Sequence, residues 1–231
     1  MSGVAISVLM SCYNSEKTVQ KSIESIISQS FQDYELIIVD DGSKDGTEEI
    51  LNKYEKEEKI KIFANKKNIG LTKSLNTLIK ISKGKYIARQ DADDISLPQR
   101  FEKQIDYMKK HNTNIVTARS KIIGENRIIP AFSYYLPNKV VVRYKNPFIH
   151  GTLMIEKSLL VNSGGYDENF YYSQDYKLFY DLVKQGYKIP IIKEVLYELN
   201  MKNNISSKFS NQQRYYSQCV RKNLSPSKLI D

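Results

Sequence analysis

Short apolar runs alternate with helical patterns through the first 94 residues, and that alternation leaves few folds open. Ile6-Ser7-Val8-Leu9-Met10, Leu36-Ile37-Ile38-Val39, Lys61-Ile62-Phe63-Ala64 and Tyr86-Ile87-Ala88-Arg89 read as strands. Between them, three sets of apolar residues recur at helical spacing: Val19, Ile23, Ile26 and Ile27; Ile50, Leu51 and Tyr54; Leu71, Leu75, Leu78 and Ile79. Successive parallel strands need a crossover, and short strand–helix units supply one, so the pattern predicts an α/β sheet with helices on its faces. Right-handed crossovers then bring the strand ends to one edge. Asn14 or Ser15 is expected to start the first helix, the second to span about 47–58, and Gly84 to close the third at its C-cap.

Two of these strands run into acids. Leu36–Val39 is followed by Asp40-Asp41-Gly42-Ser43 and then Asp45-Gly46-Thr47, and Tyr86–Arg89 by Asp91-Ala92-Asp93-Asp94. Open α/β sheets bind ligands beyond the carboxyl ends of their strands, so Asp40/Asp41 and Asp91/Asp93 are expected along one rim. Carboxylates at i and i+2 in a turn can converge on one hard divalent cation, Mg²⁺ or Mn²⁺. A capping cluster ahead of the helix at Pro98 is the plainer alternative. Likewise the first acidic turn can simply cap its helix through Asp45 or Thr47, with Glu48 and Glu49 suiting the positive N-terminus. Asp41 could accept from a base N–H or a ribose hydroxyl, with Ser11 and Tyr13 flanking the same base; both could equally be ordinary loop residues.

Beyond residue 97 the pattern loosens. Pro98 is expected to open a helix holding Phe101, Ile105 and Met108. Weak strand signals fall at 114–118, 121–124, 127–130 and 139–145, with a firmer one at Thr152–Ile155 and a last one near 194–199. A short helix, Ser158–Asn162, stops at Gly164-Gly165. A longer one follows Asp175, carries Leu178, Phe179, Leu182 and Val183, and stops at Gly186. An acid opening a helix compensates its dipole; facing a diphosphate site, it is also what deprotonates an attacking hydroxyl. His150 is the other candidate base, although a lone His is more often structural, as is expected of His111.

Net charge is +9, and residues 201–231 hold six Lys or Arg against one acid, leaving +4 for the other 200. Such a tail suits an anionic surface such as a membrane, or serves only as a solvated end. No basic stripe interleaves with aromatics on the body, which argues against nucleic acid. Cys12 and Cys219 form neither a disulfide framework nor a zinc spacing, as expected in a reducing compartment. No basic n-region precedes an apolar run and no run is long enough to cross a bilayer, so a cytoplasmic protein, at most peripheral at a membrane, is expected. Gly-x-Gly-x-x-Gly after the first strand, Gly-Lys-Ser/Thr and Gly-x-Ser-x-Gly are all absent. That argues against a dinucleotide dehydrogenase, a P-loop NTPase and an α/β-hydrolase.

Taken in order, Ser11-Cys12-Tyr13-Asn14, Val39-Asp40-Asp41-Gly42-Ser43 and Asp91-Ala92-Asp93-Asp94 resemble the family 2 glycosyltransferases of the GT-A fold over residues 4–200. Asn68-x-Gly70 with Asn76, Gly84-x-Tyr86-Ile87 and Leu97-Pro98-x-Arg100 also match that family. The resemblance implies a Rossmann-like, mixed and mostly parallel sheet flanked by helices, with a smaller acceptor-side sheet. It divides a domain 1–200 into a nucleotide-sugar half, 1–97, and an acceptor half, 98–200, followed by a basic extension, 201–231. It implies inverting transfer of a hexose or N-acetylhexosamine from a UDP-sugar to a hydroxyl of a glycan or lipid-linked acceptor; a homo-oligomer is compatible.

Carried onto this chain, the resemblance has Ser11, Tyr13 and Asp41 hold the uridine, Asp91 lie near ribose and metal, and Asp93 ligate a Mn²⁺ or Mg²⁺ that bridges the diphosphate. Lys73 and Arg100 would give phosphate contact or local support. Asp175 would be the general base, in a Gln174-Asp175 pair where the family has Glu-Asp, with Gln174 and His150 on the acceptor side. Processive members carry Gln-x-x-Arg-Trp; here Gln218-x-x-Arg221 is followed by Lys222, and the chain has no Trp. Two rival readings are a sugar nucleotidyltransferase and a non-catalytic nucleotide- or carbohydrate-binding module. The first would want a glycine-rich basic loop after the first strand, and Ser11–Thr18 contains no glycine.

Overall fold

The computed structural model describes residues 4–202 and 209–227 of the chain. Four parallel strands form its first half: β1 (Ile6–Cys12), β2 (Tyr34–Asp40), β3 (Ile60–Ala64) and β4 (Tyr86–Asp91), in the order β3-β2-β1-β4. Side chains alternate across the sheet. Leu9, Ile37, Val39 and Ile87 therefore enter one core, while Val8, Met10, Leu36, Ile38 and Ala88 enter the other. Being buried on both faces is why these strands read as nearly continuous apolar runs. Helices α1 (Val19–Ile27) and α4 (Arg100–His111) cover the second face through Val19, Ile23, Ile26, Phe101 and Ile105; α3 (Leu71–Ile81) covers the first through Leu75 and Leu78. The short α2 (Thr47–Asn52) follows β2.

The sheet continues through β8 (Met154–Glu156), antiparallel to β4, to β6 (Ile115–Ile122), β9 (Ile191–Leu199) and β5 (Ile95–Ser96), with β7 (Ile128–Ile129) on β6. Only residues 92–94 separate β4 from β5, yet β5 is the last strand in the order. The sheet must therefore curl until its far end returns beside β4, and the Asp91–Asp94 turn lies in that closure. The remaining helices are α5 (Asn138–Val141), α6 (Lys157–Asn162), α7 (Gln174–Lys184) and α8 (Ser210–Lys222). No helix among the described residues is long and apolar enough to cross a membrane, and both cysteines are free and buried.

Several expectations change. The first helix begins at Val19, because Asn14 takes φ 50° and the chain makes a turn before it; Ile27, expected on its buried face, is exposed. The second helix stops at Asn52. Pro98 precedes its helix by a turn, and Arg100 is the first helical residue. Gly84 is not a C-cap; Ser82 is. Glycine is required at position 84 because a Cβ there would lie 2.4 Å from Ser7 N and 2.7 Å from Ile6 C, both backbone atoms. The two strand signals at 114–118 and 121–124 are one strand, β6. Residues 139–145, expected as a strand, are instead the end of the short helix α5 followed by turns: Val140 N and Val141 N bond Pro137 O, and Val142 N bonds Asn138 O. Burial of Val142 in the core shared with α7, and of Val141 beside it, overrides the β preference of valine. The basic C-terminal stretch yields α8, which buries Tyr216, Cys219 and Val220; within that extension only 203–208 and 228–231 lie outside the described residues.

Candidate active site

Register fixes the rim. Ser11 on β1 pairs with Val39 on one side and Asp91 on the other, and Cys12 pairs with Asp40. Thus Ser11, Tyr13, Asp41 and Asp91 stand at the carboxyl ends of three neighbouring strands. The loops there are stitched together. Asp40 Oδ1 accepts from Ser43 N at 3.0 Å and Ser43 Oγ at 2.6 Å. Asp45 accepts from Thr47 N and Thr47 Oγ1 within its own turn and from Glu16 N across the gap. Asn14 completes the seam, its amide donating to Ser43 Oγ and its side-chain oxygen accepting from Lys44 N. Asp40 and Asp45 are therefore occupied in shaping the rim.

Asp41 is buried and anchors the next loop: Asn65 Nδ2 and Ile69 N donate to Oδ1 at 2.8 and 2.9 Å, and Gly70 N to Oδ2 at 2.9 Å. Gly70 has φ 92°, and a Cβ on it would stand 2.6 Å from the Tyr171 ring. This explains the Asn68-x-Gly70 signature: the loop must turn through a left-handed residue and pass close under an aromatic ring. Tyr13 is 44% exposed at the mouth of this corner. Lys73 is exposed in the first turn of α3 and pairs with none of the site carboxylates among the described residues.

The acidic turn after β4 divides its labour. Arg89, wholly buried, donates to Asp91, to Leu9 O at 2.7 Å and to Gln90 O at 2.9 Å. Asp94 is buried and accepts from Asn200 N at 2.7 Å and from the Tyr197 hydroxyl, which in turn accepts from Asp91 N at 3.2 Å. Ser22 Oγ and Gln90 Nε2 hold Asp94 O from beneath. Asp93, unlike Asp91, makes no ion pair with a described residue, and unlike Asp94 it accepts no hydrogen bond from another part of the described chain. Burial, then the charge of Asp91, pushes its carboxyl up to about 6. A half-buried carboxylate raised by a like-charged neighbour and lacking a cation is suited to an external one. Among the described residues no three His, Cys, Asp or Glu side chains form a metal-binding group. The oxygen donors here, Asp93 with Asp91 at its side, therefore fit a hard cation that takes one or two carboxylates and completes its shell with water and phosphate.

Asp175 faces this turn from the other half of the molecule. It lies in the first turn of α7, after Ser173 at φ 55°. The Ser173 hydroxyl is held by α8, through Gln213 Oε1 at 2.8 Å and Ser217 Oγ at 3.0 Å. Asn146 Nδ2 donates to Asp175 Oδ2 at 2.7 Å. Burial pushes the Asp175 carboxyl up to about 6, and the charge of Asp91 adds to the rise. Asp91 thus acts on both Asp93 and Asp175, and Tyr166 feels Asp91 and Asp175 together.

His150 meets Tyr166 OH through Nε2 at 2.7 Å, and burial followed by the Arg89 charge lowers its basicity. Its imidazole is therefore neutral at neutral pH, and Gln174, next to Asp175 in sequence, is buried. Arg100 is wholly buried: Nε donates to Gln104, one terminal nitrogen to Ser96 Oγ at 2.8 Å and the other to Arg89 O at 2.8 Å, with the guanidinium 5.0 Å above Tyr197. It supports β4 from inside, with no part of the side chain at the surface. Gly151 packs on the same tyrosine; a Cβ there would lie 2.4 Å from Tyr197 OH.

Arg89, Asn146, Tyr166, Ser173 and Tyr197 escaped sequence reasoning. Only Arg89 carried a signal, as a charge inside an apolar strand, which burial permits only with partners.

A curled α/β sheet with this rim is the GT-A glycosyltransferase fold. The profile described as glycosyl transferase family 2 matches residues 7–166. Over 208 residues the chain is 36% identical to EpsE of Bacillus subtilis, named as a glycosyltransferase, covering 86% of this chain and 73% of that one. Among solved structures, S. aureus TarS 1-349 in complex with UDP-GlcNAc superposes with a TM-score of 0.76 at 20% identity, over 89% of this chain and 61% of that one. The mannosyltransferase PcManGT from Pyrobaculum calidifontis, in complex with GDP-Man and Mn²⁺, also gives 0.76, at 15% identity, over 98% and 66%. The chain spans less than two thirds of the length of either solved chain. It belongs to glycosyl transferase family 2 and is a glycosyltransferase.

Proposed function

We propose that the protein is an inverting, metal-assisted transferase that moves a hexose or N-acetylhexosamine from a UDP-sugar to a hydroxyl of a glycan or lipid-linked acceptor. The observation that carries this reading is that Asp93 and Asp175, from different halves of the chain, both lie in the field of Asp91. The UDP-GlcNAc bound to TarS and the GDP-Man and Mn²⁺ bound to PcManGT support a nucleotide-sugar donor and a divalent cation.

In this reading residues 1–97 bind the donor. Ser11, Tyr13 and Asp41 form the corner for the base and ribose. Asp41 keeps lone pairs beyond its three loop contacts, and Tyr13 offers an exposed ring. Asp93, with Asp91, would hold Mn²⁺ or Mg²⁺, which when bound supplies charge neutralisation to a departing diphosphate. Arg89 holds Asp91 in place, and Lys73 is left as a phosphate contact for bound donor. Residues 98–200 present the acceptor. Asp175 takes the proton of the acceptor hydroxyl, the oxygen attacks the anomeric carbon, and the bond to the nucleoside diphosphate breaks, inverting the centre. Asn146 orients the base, with Gln174 and the His150–Tyr166 pair lining the acceptor side. A screen of nucleotide-sugars for Mn²⁺-dependent nucleoside diphosphate release tests the reading. Release from one UDP-sugar supports it; pyrophosphate release from a nucleoside triphosphate and a sugar phosphate would replace it with a nucleotidyltransferase.

A further inference from the structure

Residues 131–145 gather five large, exposed apolar side chains. Phe132, Tyr135 and Tyr144 are 75%, 71% and 72% exposed, and Leu136 and Val140 stand out beside them. Exposed cations, Lys139, Arg143 and Lys145, are set among these side chains, and the sequence has no Asp or Glu between Glu125 and Glu156. A soluble surface seldom gathers large apolar groups in this way without a use for them.

The segment is not a loose loop. Val141 and Val142 are buried beneath it, and Tyr176 OH donates to Val142 O at 2.7 Å. Asn138 Nδ2 donates to Ile189 O at 2.8 Å, and the Arg119 guanidinium lies 5.0 Å from the Tyr134 ring. Arg221 of α8 donates to Tyr144 O at 3.1 Å, which brings Arg221 and Lys222 to the edge of the same surface. The aromatic rings are therefore held outward on a fixed backing.

We propose that residues 131–145 are an interfacial docking face that seats the protein on an anionic phospholipid bilayer. Tyrosine rings with polar tips, aliphatic side chains and interspersed Lys and Arg, without acids, match the boundary between headgroups and acyl chains. The charge pattern decides against a second copy as occupant: an isologous contact would set Lys139, Arg143 and Lys145 against themselves. The face ends at Asn146, the residue that donates to Asp175. A docked molecule would thus present its base at the bilayer surface, where a lipid-linked acceptor carries its hydroxyls. That consequence rests on the proposed function; the docking itself does not.

The test is flotation of the full chain with vesicles of phosphatidylcholine alone or with roughly one third phosphatidylglycerol, at low and high salt. Neither nucleotide nor sugar is present, so the outcome is separate from that of the release screen. The wild-type protein is expected to float with the anionic vesicles at least tenfold better than with neutral ones, and less at high salt. The triple variant Phe132→Ser/Tyr135→Ser/Tyr144→Ser should lose about tenfold with its melting temperature unchanged. The double variant K139E/R143E, which leaves the rings alone, should lose anionic selectivity. Absence of flotation overturns the proposal. So does flotation unaffected by both variants, which would assign binding to the basic residues of 201–231. A wild-type dimer in light scattering that the triple variant abolishes would give the face to a second copy instead.

Discussion

The Asn146 carboxamide donates to Asp175 Oδ2 at 2.7 Å, across twenty-nine residues of chain. This contact opposes two effects that keep the acid protonated, its burial and the nearby charge of Asp91, which together place its carboxyl at about 6. A base must be ionised to act, so transfer is expected to fall as pH drops through about 6. Asn146→Ala removes a donor to the charged form and raises that pKa further. A hydrogen bond to a charged group is worth about 1.5–3 kcal/mol, so the acid limb should move up by about 1 pH unit or more. The pH dependence of kcat for the variant and the wild type measures it.

Asp93 should trade stability for binding. Its pKa is raised in the folded state, so its contribution to stability is present below the unfolded value of 3.8 and is lost as pH rises through about 6. Above that pH the buried charge works against the fold. In metal-free buffer at pH 8, Asp93→Asn is therefore expected to melt higher than the wild type, by roughly 2–4 °C for each kcal/mol relieved. The same variant should lose the Mn²⁺-dependent part of its UDP affinity. Calorimetric melting and UDP titration with and without Mn²⁺ give the two readouts, which must move in opposite directions.

Gly84→Ala tests the packing that sets β1 against β4. The added methyl meets backbone at 2.4 and 2.7 Å, which cannot swing aside as a side chain would. Overpacking of this kind costs about 1–3 kcal/mol. A lower melting temperature with unchanged UDP affinity per folded molecule is expected, because the glycine lies at the amino end of β4, away from the rim.

The first half of the fold was legible because its strands are buried on both faces and its helices on one, which leaves runs and periodicities that tolerate little else. The placement of Asp41 and Asp91 on one rim followed from crossover handedness alone. The second half was less legible for identifiable reasons. The valines at 140–142 carry β preference, yet Pro137 and the core beneath them select a helical turn. The polarity of 210–222 concealed α8, whose apolar stripe is only Tyr216, Cys219 and Val220. In the site, Asp175 could be singled out through the family pattern, but Asn146 and Ser173, which position it, come from separate loops brought in by tertiary contacts. The family pattern left Arg100 with two readings, phosphate contact or local support, and its burial among Gln104, Ser96 and Arg89 O fits internal support.

The most direct measurement compares Asp175→Asn with the wild type for transfer from the UDP-sugar that the release screen selects, alongside UDP binding in the presence of Mn²⁺. Asparagine keeps the shape and cannot take the proton, so transfer should fall by about 10²–10⁴-fold while UDP binds as before. Transfer at the wild-type rate, with binding intact, would contradict the assignment of Asp175 as the base.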